Sequence, residues 1–305
     1  MVRAMAATAA EPQPAKLPLP GGSNGAAVQL HPLICARMHC APGFLDRPEG
    51  RLASLKTLVS RTSEDDLVDI PVVAFLIRHP TAGDVLVDTG LHPSVAVEPK
   101  NALGKWGGLL FKDIRMATED SIPAQLRALD VDPNTVGTVV MTHLHADHAG
   151  AISEFPGATF VVDAREWSAA ADGSERDGYV RRQFDHGFDW RIVDFDGPTG
   201  DSFATFGRSV DLFGDGSVRL VSTPGHSAGH LSVVLRLRDR EALLCGDAAY
   251  TLDAIENDTV PYVVADEHRY RRSLREIQLY LEQTPDALVV PGHELAVMRR
   301  LDRAY

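Results

Sequence analysis

The chain has 305 residues, 44% of them hydrophobic, which is enough to bury a core as one large domain or two small ones. Its formal net charge of −12, from 30 Lys and Arg against 42 Asp and Glu, argues against nucleic acid as a partner, because phosphate backbones bind basic surfaces. No apolar run approaches the roughly 20 residues of a membrane-spanning helix, and three scattered cysteines cannot form a disulfide framework, so we expect a cytoplasmic protein that does not enter a membrane.

The N-terminal residues 1–27 are rich in Ala, Pro and Gly and lack periodicity, so we predict a disordered tail before a single domain at residues 28–305. Residues 92–117, which include Trp106, form an irregular segment of the kind that covers a site. Helical patterns occur at 121–129, 164–171 and 266–282. Apolar runs bounded by turn residues predict strands at 28–35, 72–78, 84–88, 139–141, 158–162, 210–213, 218–221, 231–237, 242–245 and 287–290. This order of elements predicts an α/β protein with two halves packed sheet to sheet.

The segment 142–150 concentrates metal-binding chemistry at the end of a predicted strand. It contains His143, His145, Asp147 and His148. Imidazole nitrogens and carboxylate oxygens are ligands of zinc and similar divalent ions. Because the strand stops just before these residues, we expect their side chains to point into one small volume. A polar loop that is rich in histidine by chance is the simpler alternative.

Three later strands also end in a glycine followed by a possible ligand, namely Gly225-His226, Gly246-Asp247 and Gly292-His293. Glycine lets the backbone turn sharply, so the next side chain can face inward from the sheet edge. Each pair alone is typical of an ordinary turn. Together with the histidine-rich segment, the three pairs predict a metal site.

These motifs supply seven candidate ligands: His143, His145, Asp147, His148, His226, Asp247 and His293. A catalytic zinc ion uses three protein ligands and a water, so seven side chains are too many for one ion. Two divalent metal ions that share one carboxylate would use all seven and leave room for a bridging hydroxide. Zn²⁺ is the ion that we expect.

The ordered motifs resemble those of the metallo-β-lactamase fold superfamily, over about residues 28–293. The likeness is carried by His-x-His-x-Asp-His at 143–148, Thr-Pro-Gly-His-Ser-x-Gly-His at 223–230 and Gly-Asp at 246–247. It implies an αββα sandwich of two mixed β-sheets flanked by helices, with the site at one edge between the sheets. By the same resemblance, one metal takes His143, His145 and His226, the other takes Asp147, His148 and His293, and Asp247 bridges them.

Within that superfamily the chain is most similar to the N-acyl homoserine lactonases. Asp247-Ala248-Ala249-Tyr250 is similar to their Asp-x-x-Tyr, in which the tyrosine hydroxyl touches the lactone, and residues 75–80 and 87–93 also resemble that group. Asp247 stands where zinc β-lactamases of the main subclass usually carry cysteine, and His145 stands where flavin-linked diiron reductases usually carry glutamate. These two residues therefore disfavour both of those groups. Ala146 replaces a phenylalanine that is common in these lactonases, which removes an aromatic wall and leaves room for another lactone. For Tyr250, an aromatic that only packs is the alternative.

The resemblance implies that a hydroxide held by the two metals opens a lactone ring, as in the quenching of quorum signals. Tyr250 would stabilise the oxyanion, and Asp147 would carry a proton to the leaving alkoxide. The sequence has no Gly-rich phosphate loop that would indicate an organic cofactor. Asp88 either supports a ligand imidazole or caps its own turn, and His230 is expected to brace the loop after His226.

Several alternatives stay open. Another lactonase or a glyoxalase II-type thioesterase would use the same site. A non-catalytic metal-binding protein or sensor would need only the bound metals. Phosphodiester cleavage is a further activity of this fold, but the acidic net charge of the chain disfavours it. We expect a small-molecule lactone as the partner, and a monomer or a homodimer. The remaining histidines lack neighbouring ligands in the sequence and are interpreted as surface or packing residues: His31, His39, His79, His92, His186 and His268.

Overall fold

A computed structural model describes residues 11–48, 64–99 and 102–305. Two mixed β-sheets face each other, and helices cover their outer surfaces. In chain order, the strands are β1 (Gln13–Pro14), β2 (Gln29–Cys40), β3 (Val68–His79), β4 (Gly83–Val87), β5 (Lys112–Arg115), β6 (Thr138–Val140), β7 (Thr159–Asp163), β8 (Asp189–Val193), β9 (Asp201–Phe203), β10 (Phe206–Asp211), β11 (Val218–Ser222), β12 (Leu231–Arg236), β13 (Glu241–Gly246) and β14 (Leu288–Pro291).

Within the described residues, the helices are short except for one. They are α1 (Pro42–Leu45), α2 (Gly104–Leu110), α3 (Ile122–Ala128), α4 (Ala164–Asp172), α5 (Arg181–Phe184), α6 (Leu252–Asn257), α7 (Glu267–Gln283) and α8 (Leu295–Met298). In α7, Tyr270, Leu274 and Ile277 recur on one face and are fully buried. That face packs on the outer side of the second sheet, so the predicted amphipathic helix at 266–282 is confirmed. No helix within the described residues is long and apolar enough to span a bilayer.

The first sheet has the strand order β1-β8-β7-β6-β4-β3-β2-β5, and the second has the order β14-β13-β12-β11-β10-β9. Parallel pairs run from β4 through β6 and β7 to β8, whereas β2, β3 and β4 are antiparallel. In the second sheet only β13 and β14 are parallel. The predicted αββα sandwich of mixed sheets is therefore confirmed.

Strand β3 shows why the apolar runs are nearly continuous. Its alternate residues Val73, Phe75 and Ile77 lie in the core between the sheets, together with residues of the second sheet such as Leu220 and Val233. The intervening residues Val72, Ala74 and Leu76 lie in the core beneath the outer helices. Because successive side chains of a strand point to opposite faces, a strand covered on both sides needs apolar residues at every position.

The prediction of a disordered tail is wrong for residues 11–27, and residues 1–10 lie outside the described part. Gln13–Pro14 pairs in parallel with β8, and Leu17 and Leu19 pack against the core between the sheets. The backbone N–H of Ser23 donates to Asp215 Oδ2 at 2.8 Å. Residues 11–27 thus belong to the domain that we placed at 28–305. Tertiary contacts order them without any local periodicity, so the sequence pattern missed them.

Two other segments differ from the predicted elements. Strand β2 continues past the predicted 28–35 because its second half pairs with both β3 and β5. Residues 172–200, to which the sequence assigned no element, contain α5 and β8. For residues 40–64 the sequence predicts a loop with a short helix, and residues 49–63 of that segment lie outside the described residues.

Asp215 joins three turns at the end of the sandwich where β10 leads into β11. Its side chain is 2% exposed, and it accepts hydrogen bonds from the backbone of Ser23 and Ser217 and from His79 Nε2 at 3.0 Å. Burial alone would raise the pKa of Asp215, but the hydrogen bonds from Ser217, Ser23 and His79 outweigh it and lower this pKa from 3.8 to about 2. This carboxylate therefore stabilises the folded state above about pH 4, and that contribution is lost as the pH falls through about 2.

We expect Asp215→Asn to lower the free energy of unfolding by about 2 kcal/mol near pH 6, and by much less near pH 2. Urea unfolding of both proteins across this pH range measures the difference. A difference that did not depend on pH would show that the carboxylate charge is not stabilising.

Candidate metal centre

The seven candidate ligands lie together at one edge of the sandwich. Strand β6 of the first sheet ends just before His143, while β11, β13 and β14 of the second sheet lead into His226, Asp247 and His293. Because these strands lie in facing sheets, their ends meet across the gap between the sheets. All the ligand candidates are buried except Asp147, whose side chain is 13% exposed.

Three groups of side chains have donor atoms close enough to hold a metal ion, and one of them, formed by His143, His148 and Asp247, overlaps the other two. We call His143, His145 and His226 the three-histidine group, and Asp147, His148 and His293 the second group. In the three-histidine group, His226 Nε2 lies 3.2 Å from His143 Nε2 and 2.9 Å from His145 Nδ1. In the second group, Asp147 Oδ2 lies 3.7 Å from His148 Nε2 and 3.8 Å from His293 Nε2.

Asp247 lies between the two groups. Its Oδ2 is 3.3 Å from His226 Nε2 and 3.2 Å from His293 Nε2, and its Oδ1 is 3.3 Å from His148 Nε2. The structure therefore brings the predicted bridging carboxylate within reach of both groups.

Hydrogen bonds on the far side of the rings orient their free nitrogens toward the centre. His226 Nδ1 faces the carbonyl oxygen of Val263 at 3.0 Å, and His293 Nδ1 faces that of Pro71 at 3.2 Å. A carbonyl oxygen only accepts, so each Nδ1 carries a proton, and the neutral form of each ring presents its Nε2 lone pair to the site. The loops thus fix both the direction of each ring and its tautomer.

Asp88 supports both groups from behind and adopts a φ of 58°, an uncommon value for a residue other than glycine. It accepts hydrogen bonds from His148 Nδ1, from the Thr142 backbone N–H and from Thr142 Oγ1, each at 2.8 Å. Thr142 Oγ1 in turn accepts from His143 Nδ1 at 3.0 Å. Of the two roles predicted for Asp88, the structure shows support of the imidazoles.

His230 braces Asp247 rather than only the loop after His226. Its Nε2 accepts the backbone N–H of Asp247 at 2.9 Å, and its Nδ1 donates to Thr223 Oγ1 at 2.9 Å. Burial lowers the pKa of His230 to about 3, so the ring stays neutral and Nε2 remains an acceptor.

Sequence reasoning missed Glu166 and Tyr179. Glu166 is fully buried, and it accepts hydrogen bonds from Leu144 N at 3.0 Å, from Ser227 Oγ at 2.6 Å and from Tyr179 OH at 3.1 Å. It therefore ties the loop of His143 and His145 to the loop of His226. A polar residue at the start of a surface-like helix, within residues 164–171, gave no sign of this role.

The electrostatics of the three-histidine group favour neutral rings. Burial lowers the pKa of His143 and His226 well below its ordinary value and also lowers that of His145. Neighbouring imidazoles add to the effect at His143 and His226, because a second positive charge nearby is unfavourable. Neutral imidazoles are the form that coordinates a metal.

The second group is held by opposite charges. Burial alone would raise the pKa of Asp247, but His293, His148 and His226 outweigh it and hold this pKa well below its usual range. In turn, the Asp247 and Asp147 carboxylates outweigh burial at His148 and His293 and raise their pKa. Without a cation, protonated imidazoles have to balance the carboxylates.

The residues fit a metal centre by their own chemistry. Asp247 Oδ1 is buried and accepts no hydrogen bond from the described residues. The imidazole nitrogens of the three-histidine group approach one another at hydrogen-bond distance, although at His143 and His226 those nitrogens carry lone pairs. A divalent cation satisfies both the orphaned oxygen and the facing lone pairs.

Glycines at the strand ends allow these close approaches. Gly225 has a φ of 139°, and a Cβ at that position would lie 2.2 Å from the backbone nitrogen of Tyr270 in α7. Gly246 has a φ of 53°, which turns the chain into Asp247. The predicted reason for the glycines, a sharp turn before each inward ligand, holds at these two positions.

Tyr250 lies over the same centre. Its ring centroid is 4.8 Å from that of His293, and its hydroxyl is 3.4 Å from His226 Nδ1. Because His226 Nδ1–H already donates to Val263, the Tyr250 hydroxyl proton is free to donate elsewhere. Burial and the Asp247 and Asp147 carboxylates raise the pKa of Tyr250 well above its ordinary value, so it stays a donor.

A cleft opens onto the metal-binding side chains. Its polar end is formed by His145, Asp147, His226, Asp247, Tyr250 and His293, and its apolar walls by Phe44, Leu103, Trp106, Leu110, Phe111 and Val263. Ala146 also lines it. The segment at 92–117 thus supplies α2 and Trp106 to the wall. The Arg176 guanidinium stacks on the Trp106 ring at 4.6 Å.

Among the described residues, the other histidines join no metal-type group. His79 pairs with Asp215, and His92 pairs with Glu154 at 3.2 Å. Their interpretation as packing or surface residues agrees with these contacts.

Comparison with known families agrees with this geometry. The profile described as the metallo-beta-lactamase superfamily matches residues 67–293. The chain belongs to the metallo-β-lactamase superfamily. The resemblance drawn from the ordered motifs is therefore confirmed.

Among curated superfamily members, the chain is 38% identical over 233 residues to N-acyl homoserine lactonase AttM of Agrobacterium fabrum, covering 74% of this chain and 82% of that protein. It is 30% identical over 248 residues to N-acyl homoserine lactonase AiiB of Rhizobium rhizogenes, covering 76% and 83%. A structure of mutant Bacillus thuringiensis AiiA with N-decanoyl-L-homoserine bound has a TM-score of 0.72 and 21% identity, covering 90% of this chain and 96% of that one. That last likeness concerns the fold.

Metal binding should stabilise the folded protein, because a cation relieves the facing lone pairs and carboxylates. We expect Zn²⁺ to raise the unfolding temperature of chelator-treated protein by on the order of 5 °C. His226→Ala, which removes one of the three imidazoles of the three-histidine group, should lose much of this gain, whereas His92→Ala should keep it. Differential scanning calorimetry measures the shift, and equal gains in both variants would contradict the assignment.

Proposed function

We propose that the protein is a dinuclear metal hydrolase that opens lactone rings, with N-acyl homoserine lactones as substrates. One observation carries the proposal: the seven metal-type side chains lie together, and five of them line a single apolar-walled cleft beside a protonated tyrosine hydroxyl. The identity to AttM supports this substrate class. Opening such lactones removes a quorum signal, and the free, buried cysteines suit a cytoplasmic enzyme.

Zn²⁺ is the metal that best fits nitrogen and oxygen donors in this number. The three-histidine group would hold one ion, Asp147, His148 and His293 the other, and Asp247 would bridge them. When bound, the ions supply Lewis acidity, which makes hydroxide available near neutral pH and polarises an ester carbonyl. The remaining steps are carried by side chains of this protein.

Tyr250 is positioned to stabilise charge on the substrate. Its hydroxyl lies at the polar end of the cleft, beside His226 and above Asp247 in the same cavity. As water adds to the carbonyl carbon, negative charge develops on the carbonyl oxygen, and a fixed O–H donor lowers the energy of that state. The raised pKa of Tyr250 keeps the proton in place for this purpose.

Asp147 is positioned to move the proton. It is the most exposed of the candidate ligands, and its carboxylate lines the cleft. When the ring C–O bond breaks, Asp147 carries the proton from the attacking water to the departing alkoxide. The product is an open hydroxy acid, and water supplies all the added atoms.

The apolar wall is positioned to hold the acyl chain. Trp106, Phe44 and Val263 face the cleft, and they would bury a hydrocarbon chain extending from the amide. Ala146 leaves space where an aromatic side chain would narrow the cleft. We therefore propose that the site accepts acyl chains of more than one length.

Turnover can be measured directly as acid release. Zinc-loaded protein should acidify a weakly buffered indicator solution when given N-acyl homoserine lactones with short or long chains. Chelation should stop the reaction, and added Zn²⁺ should restore it. S-Lactoylglutathione and a simple γ-lactone complete the panel. Acid release only from the thioester would replace the proposal with a thioesterase, and no release from any lactone would reject it.

Tyr250→Phe deletes one oxygen and should leave the metal centre intact. We expect kcat to fall about 10- to 100-fold, because one donor to the developing oxyanion is lost. Metal content measured in the same samples should equal that of the wild type. Full activity would mean that Tyr250 only packs against His293.

A further inference from the structure

Glu166 is a fully buried carboxylate that belongs to neither metal-binding group. It lies in the first turn of α4, three residues after the N-cap Asp163. Both of its oxygens are engaged. Oε1 accepts from Leu144 N at 3.0 Å and from Tyr179 OH at 3.1 Å, and Oε2 accepts from Ser227 Oγ at 2.6 Å and from Gly229 N at 3.1 Å.

These contacts reach the neighbour of every imidazole in the three-histidine group. Leu144 lies between His143 and His145 in the chain, and Ser227 directly follows His226. Tyr179 forms a backbone bridge with His145, and the two ring centroids lie 5.0 Å apart. One carboxylate therefore joins the two loops whose separation sets the distances among the three ligand nitrogens.

The loop after His226 is shaped to reach Glu166. A Cβ at Gly229 would lie 2.2 Å from the Glu166 backbone nitrogen and 2.6 Å from Asp163 Oδ1. Only glycine allows this approach, so the backbone N–H of Gly229 can donate to the carboxylate. This close approach explains why the second glycine of Thr-Pro-Gly-His-Ser-x-Gly-His, Gly229, stands at that position.

The charge of Glu166 has no Lys or Arg partner among the described ion pairs. The N-terminus of α4 and four hydrogen bonds offset it in part. Its negative field also acts on His145, where it favours a positive charge. A cation held by the three imidazoles would be the missing counter-charge.

We propose that Glu166 is a positioning residue that sets the metal affinity of the three-histidine group. It does so by fixing the two loops and by placing a buried negative charge behind them. Asp88 has the corresponding place behind His148, so each group has a supporting carboxylate outside its ligands. This inference rests on the metal assignment proposed above, but not on the identity of the substrate.

The test compares Glu166→Gln with Asp215→Asn. Both substitutions neutralise a buried carboxylate that joins separate loops, but Asp215 lies at the end of β11 opposite to His226. Each protein is equilibrated with Zn²⁺ and a competing chelator, and bound zinc is measured by elemental analysis. Calorimetry of the metal-free proteins compares the stability of the two variants, so that a difference in bound zinc can be separated from a difference in stability.

We expect Glu166→Gln to raise the dissociation constant of one zinc at least about tenfold, so that it retains one equivalent where the wild type retains two. Asp215→Asn should retain two at similar stability. Two tightly bound equivalents in Glu166→Gln, or the same loss in Asp215→Asn, would overturn the proposal.

Should Glu166→Gln fail to fold, Ser227→Ala supplies the second test, because it deletes only one of the four donors. It should weaken the same zinc by a smaller factor, and unchanged affinity would also overturn the proposal. No lactone enters these measurements. A wild type that binds two zinc ions but opens no lactone would contradict the proposed function and leave the role of Glu166 standing.

Discussion

The structure is organised around a concentration of buried ligand atoms that a divalent cation would stabilise. The Nε2 lone pairs of His143 and His226 face each other at 3.2 Å, and the shared Asp247 carboxylate has an oxygen with no hydrogen-bond donor among the described residues. Such an arrangement is unfavourable in an empty protein, because facing lone pairs repel and a buried polar atom without a partner costs free energy. The rest of the fold holds these atoms together: two sheets bring four strand ends to one edge, and glycines turn the chain inward at two of those ends.

Around these ligands lies a layer of side chains that fixes their direction. Asp88, Glu166 and His230 hold the loops and rings through buried hydrogen bonds, and each is satisfied by several partners or by a backbone group. The main-chain carbonyls of Val263 and Pro71 select the tautomers of His226 and His293. Fully satisfied polar networks of this kind are rigid, which lets a site hold two ions in a fixed relation while leaving the cleft open to substrate.

Much of this site could be predicted from the sequence, because its ligands are short motifs placed directly after strongly apolar strands. His143 to His148, His226, Asp247 and His293 were found in this way. The order of strands and helices predicted two halves packed sheet to sheet, and the family resemblance of the motifs implied the αββα sandwich. Glu166 could not be found, because its role depends on the distance between loops far apart in the chain. Residues 11–27 were misjudged for a related reason: Leu17 and Leu19 are ordered by contacts with the core between the sheets, and no local periodicity records such contacts.

The central claim is that two divalent ions occupy the edge of the sandwich and share Asp247. Anomalous X-ray diffraction from zinc-loaded crystals, recorded on both sides of the zinc absorption edge, tests it most directly. The account predicts two anomalous peaks roughly 4 Å apart or slightly less, one among His143, His145 and His226 and the other among Asp147, His148 and His293, with Asp247 between them. A single peak, or peaks that lie away from these side chains, would contradict it.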